Sequence, residues 1–165
     1  MTHNLKEPDR RISPNAVKVW RISATIGHAI AVIIIGVVLY LQHRFDWVDW
    51  LMPILYGLGA IVIVHAIYRL FFYPIYQQRT WRYSVDESFV QLKHGSLEKT
   101  YVIVPMTKVQ YVNTSQGPLM RRYGLMSVTI GTMASSHDIP ALPEQEAEAL
   151  CTRIAYLAQI SEPDE

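Results

Sequence analysis

Two apolar runs of membrane-crossing length decide most of what this chain can become. The first is Ile22 to Leu41, ISATIGHAIAVIIIGVVLYL, which holds no acidic or strongly basic side chain. About 20 such residues span a hydrocarbon core of about 30 Å as a helix. The second is Trp50 to Phe72, WLMPILYGLGAIVIVHAIYRLFF, with Arg69 near its end, where a long side chain reaches the headgroups. A cleaved secretory leader fits poorly: the first run exceeds the usual leader core of about 7–15 residues, and a long polar segment precedes it. The linker Gln42 to Asp49 is short, so the helices must be antiparallel neighbours. Asp49 suits the cap of the second helix, Pro53 falls near its first turn, and Pro74 is expected to end or kink it at Tyr73.

The flanks set the orientation. Lys6, Arg10, Arg11, Lys18 and Arg21 precede the first run, and Arg69, Arg79 and Arg82 close or follow the second. The linker carries Arg44, offset by Asp46 and Asp49. The positive-inside bias therefore puts both termini in the cytosol and the linker outside, in a multi-pass protein. Trp20, Phe71, Phe72 and Tyr73 suit one interface, and Tyr40, Phe45, Trp47 and Trp50 the other. A formal net charge of +1 gives no argument for nucleic acid as a partner. The single cysteine, Cys151, excludes an intramolecular disulfide and reads as a small core residue in a reducing compartment.

Past Pro74 the period changes. Trp81 to Val85 alternates, Asp86-Glu87-Ser88 turns, and Phe89 to Lys93 alternates again. His94-Gly95 is a tight-turn signal. Tyr101 to Val104 is an apolar strand expected to stop at Pro105, and Val109 to Asn113 is another. Pro118 to Arg122 has room for a single helical turn. Met126, Val128 and Ile130 alternate with Ser127, Thr129 and Gly131, as in a strand with one buried face. His137 to Ile139 is a short strand closed by Pro140. A final helix starts with Pro143 in its first position and Glu144, Glu146 and Glu148 toward the positive end of its dipole. Its core face is Ala147, Leu150, Cys151, Ile154, Leu157 and Ala158.

The segment Gln110 to Ile130, QYVNTSQGPLMRRYGLMSVTI, resembles the signature of the YdbS-like membrane proteins, which carry the bacterial pleckstrin-homology (PH) domain. So do Gln77 to Val85, the strand pair ending at Gly95, Ile103 to Pro105 and the Ala141-Leu142-Pro143 that leads into the closing helix. The resemblance covers about Ile22 to Ile160. It implies a PH-like cytosolic domain at the bacterial inner membrane, and no reaction or catalytic residues. The expected fold is α+β: a two-helix transmembrane hairpin, then a small PH-like antiparallel β domain with a C-terminal capping helix. The divisions are 1–21 for a cytosolic N-terminal segment, 22–73 for the hairpin (helices about 22–41 and 50–72), 78–160 for the domain and 161–165 for a tail.

Candidate functional residues follow. His28 and His65 lie at similar depth in an antiparallel hairpin, where ionisable groups face a protein interior or a cavity. Two neutral imidazoles bonded to each other, a carbonyl or water is the preferred expectation. A haem or metal site, or a proton or ligand path, is the alternative, and would make the chain a small redox or transport component. No cofactor is expected. Ser23, Gly27 and Ala31 form a small-residue stripe, and Gly57, Gly59 and Ala60 thin the second helix, so close helix packing is expected, within the hairpin or between copies. Arg121 and Arg122, with Arg79 and Arg82, are candidates for anionic lipid or partner binding, and Lys93, Lys99 and Lys108 are further bases scattered through the strands. Against lipid, ten acids lie from Asp86 to Glu165 and eight bases from Arg79 to Arg153. Ser135, Ser136, His137 and Asp138 are triad residue types, but sequence neighbours do not make a triad. The functional expectation is a non-enzymatic, membrane-anchored binding or scaffolding module. Its partners would be membrane lipids, another membrane protein or copies of itself.

Overall fold

A computed structural model describes residues 8–45, 50–95 and 99–159. The chain forms two compact units: residues 18–75, and the segments on either side of them, which join in one unit.

In the helical unit, α1 runs Ala16–Phe45 and outruns the apolar stretch at both ends. The second helix is α2 over Leu51–Ile67, a π-helical turn over Tyr68–Phe72, and α3 over Tyr73–Thr80. Both helical stretches are long and apolar enough to cross a membrane. Their side chains point outward: Ile33, Ile61 and Val64 are each more than 60% exposed, which water does not tolerate over so wide a surface. The expected cap, Asp49, lies outside the described residues.

Pro74 does not end the second helix. The helix passes through it because the π turn absorbs the misfit: the Tyr73 N–H bonds to the Tyr68 carbonyl, five residues back. Proline at 74 has no N–H for the Leu70 carbonyl. Arg21 supplies the missing donor from the other helix, its Nε donating to the Leu70 oxygen at 3.0 Å.

The β unit has two antiparallel sheets. In the first, β1 (Arg10–Arg11), β2 (Arg82–Val85), β3 (Phe89–His94) and β4 (Thr100–Pro105) lie in that order. The second holds β5 (Val109–Ser115), β6 (Leu125–Thr132) and β7 (Ser136–Pro143), with the short α4 (Pro118–Arg122) between β5 and β6. The chain closes with α5 (Glu144–Leu157), whose Ala147, Leu150 and Ile154 are buried. Tyr83, Val90, Val128, Ile130 and Ile139 are core side chains with no exposed surface.

The strand β1 has no counterpart in the sequence reading. It comes from before the helical hairpin yet pairs with β2 after it, Arg10 opposite Tyr83 and Arg11 opposite Arg82. The neighbouring chain is fixed as well: the Ser13 N–H donates to the Ala141 carbonyl at 3.1 Å, and Gln78 Nε2 donates to the Ile12 carbonyl at 3.3 Å.

β4 ends at Pro105, as expected, and Pro105 still pairs with Phe89 because an edge strand needs no donor on its free side. Two other prolines depart from expectation. Pro140 is inside β7: the register slips between Met126 and Val128, so Pro140 and Ala141 together oppose Ser127, and a bulge asks no ladder bond of proline. The same slip moves Met126 off the core face and puts Leu125 on it. Pro143 is the residue before α5, not its first. His94 is the last residue of β3, paired with Thr100, and the reversal starts at Gly95, whose φ of 94° suits glycine.

Candidate functional site

Cross-strand register brings together bases that the sequence scatters. Arg11 opposes Arg82, Arg82 opposes Lys93, and Lys93 opposes Tyr101. Directly opposed residues share a face, so this is one row of three cations ending in a half-exposed tyrosine. The Lys93 ammonium lies 5.0 Å from the Tyr101 ring centre. Beside the row, the Trp81 and His94 rings stack at 4.7 Å and 14°. Burial there pushes the His94 imidazole below its ordinary pKa. The acids of the β2–β3 turn, Asp86 and Glu87, lie at the opposite end of these strands. The chain leaves for α1 shortly after Arg11 and returns from α3 just before Arg82.

Of the four expected arginines, only Arg82 is in this row. Arg79 is exposed on α3, and Arg121 and Arg122 are exposed on α4, between strands of the other sheet. The register therefore adds Arg11 to the site and draws in Lys93 from the bases scattered through the strands. The Arg82–Lys93 pair could have been found from the turn centred between Val85 and Phe89. Arg11 had no local signal.

In the helical unit, His28 and His65 meet: His28 Nε2 is 3.1 Å from His65 Nδ1, and His28 Nδ1 is 2.6 Å from the Ala24 carbonyl. A carbonyl can only accept, so Nδ1 of His28 donates to it; with both rings neutral, as the expectation has it, His28 Nε2 then accepts from His65 Nδ1. At 3.1 Å the two nitrogens are at direct hydrogen-bonding distance, as the preferred expectation of paired imidazoles has it. No group of three or more metal-binding side chains occurs among the described residues.

The glycines have open space beside them. A Cβ built at Gly27, Gly57 or Gly59 would meet nothing within 4 Å. Ser23 and Gly27 are exposed and Ala31 half-buried.

Asp138 accepts from the Thr129 hydroxyl at 2.6 Å, while Ser135 Oγ lies 3.0 Å from His137 Nε2 on the exposed β6–β7 hairpin. With the carboxylate committed to Thr129, these residues do not assemble a triad. The Cys151 thiol is raised in pKa by burial and lies 3.9 Å from the Val112 carbonyl, as befits a packing residue.

Two antiparallel sheets closed by a C-terminal helix, with an apolar helical hairpin inserted in the chain between β1 and β2, make this a membrane-associated PH-like module. The chain belongs to the bacterial PH domain family, which matches it over residues 19–158. It is similar to the transmembrane protein YdbS of Bacillus subtilis (strain 168), 38% identical over 159 residues that cover 96% of this chain and 98% of that protein. No solved structure matches it.

Proposed function

We propose that this chain is a non-enzymatic, membrane-anchored module at the cytosolic face, whose Arg11–Arg82–Lys93 row engages anionic phospholipid headgroups. The observation that carries the reading is the row itself. Three bases stand in register on one sheet face and end in an exposed tyrosine, a combination that suits an anionic interface. Each base close to such a surface adds about 1 kcal/mol. Tyr101, 57% exposed at the end of the row, suits an interfacial position. The pairing of β1 with β2 also supports it, because a hairpin that crosses twice returns the chain to the side it left.

The test uses full-length protein in nanodiscs, with Cys151→Ser and a bimane label on Thr100→Cys. Quenching by headgroup-spin-labelled lipid should be stronger with phosphatidylglycerol present than in phosphatidylcholine alone, and should fall with salt. Arg11→Gln/Arg82→Gln/Lys93→Gln should abolish the difference. Equal quenching in both lipids rejects the lipid reading.

A second reading, self-association, is favoured by the open space at the glycines. A Cβ at position 27 meets nothing within 4 Å, so Gly27→Leu should leave the monomer folded while lowering the detergent-corrected mass measured by light scattering. A wild-type monomer across mild detergents would remove this reading.

A further inference from the structure

On the opposite face of β1 from Arg11, a cleft of about 180 Å³ opens between β2 and α5. We propose that it is a binding site for one acidic side chain, a glutamate or aspartate of a partner polypeptide. Its size speaks first. Small-molecule and cofactor sites run to roughly 300–1,000 Å³, so this cleft takes a single side chain. The cleft is open because β1 pairs only with Arg82 and Tyr83, leaving the Ser84–Val85 edge of β2 without a strand beside it.

The lining then sets the chemistry. Val85, Ala149 and Leu150 form an apolar floor on which methylene groups can lie, and Leu150 is buried. Two cations, Arg10 and Arg153, face the cleft with one anion, Glu146. Glu146 is already engaged: it accepts from the buried Tyr83 hydroxyl at 2.6 Å and lies 3.7 Å from Arg10. Tyr83 and Arg10 thus hold that carboxylate, and Arg153 makes no ion pair among the described residues. Seven residues along a helix is about 10 Å, so Glu146 and Arg153 mark opposite ends of the cleft. A carboxylate entering over Leu150 meets the Arg153 guanidinium, which matches it in bidentate geometry. A phosphate dianion is disfavoured relative to a carboxylate, because its second charge would be repelled by Glu146.

Full-length protein in detergent is titrated with acetyl-Ala-Glu-Leu-amide and, separately, with acetyl-Ala-Gln-Leu-amide, following the Arg153 side-chain and Ala149 amide resonances. The glutamate peptide should give saturable shifts, with the glutamine peptide at least tenfold weaker. Arg153→Glu, at an exposed position that should not unsettle the fold, should lose the glutamate peptide by at least tenfold and gain acetyl-Ala-Lys-Leu-amide. An unchanged thermal midpoint confirms that the variant is folded. Equal shifts with glutamate and glutamine, no saturable shift with either, or shifts confined to the Arg11–Arg82–Lys93 row each overturn the proposal.

Discussion

Replacing Ile130 with alanine should lower the unfolding free energy of the β unit by about 2–5 kcal/mol, the range for large-to-small changes in a packed core. Ile130 has no exposed surface and lies opposite Val112 and His137 in the middle strand of its sheet, where neighbours on both sides prevent collapse into the cavity. Its neighbour Thr129 points to the other face and donates to Asp138. That bond is to a carboxylate but is exposed to solvent, so Thr129→Ala should cost far less, about 1 kcal/mol. Denaturant titration of the full chain, read by circular dichroism, compares the two. Equal costs would mean that the strand does not present alternate faces as described.

Removing the Arg21 guanidinium should cost about 1.5–3 kcal/mol, the value for a hydrogen bond with a charged partner. The reason lies at Pro74, which leaves the Leu70 carbonyl without its usual helical donor, and Arg21 Nε fills that vacancy. A sharper expectation follows. In a Pro74→Ala background the backbone regains an N–H at 74, so Arg21→Ala should cost markedly less there than in the wild type. The double-mutant cycle, measured by SDS-induced unfolding in mixed micelles, should give a coupling of about 1 kcal/mol or more. Additive costs would mean that Arg21 contributes charge or bulk, not a donor for that carbonyl.

These contacts mark where local sequence reasoning holds and where it stops. The apolar runs at Ile22–Leu41 and Trp50–Phe72 are legible because membrane crossing is a matter of length and composition. Val128 and Ile130 are legible because alternation reports a half-buried strand. Met126 breaks that pattern through a bulge, which depends on the pairing of two strands and not on either alone. Proline rules fail twice for a shared reason. At Pro74 a side chain from the other helix supplies what proline removes, and at Pro140 the bulge asks nothing of it. The strand β1 is the deepest omission. Two residues have no period to read, and their partner, Arg82, lies beyond the whole helical hairpin. The candidate site inherits that gap: Arg82 and Lys93 are within reach of turn geometry, while Arg11 joins them only through tertiary pairing.

The central claim is that the β unit is held at the cytosolic face by a hairpin that crosses the membrane twice. Cysteine accessibility tests it most directly. In a Cys151→Ser background, single cysteines replace Val48, in the linker between the helices, and Met133, which is 87% exposed in the β6–β7 turn. Intact bacterial cells are treated with a membrane-impermeant maleimide before and after permeabilisation. The account predicts that Val48→Cys is labelled in intact cells and that Met133→Cys is labelled only once the membrane is opened. Labelling of Met133→Cys in intact cells, or protection of Val48→Cys, would contradict it.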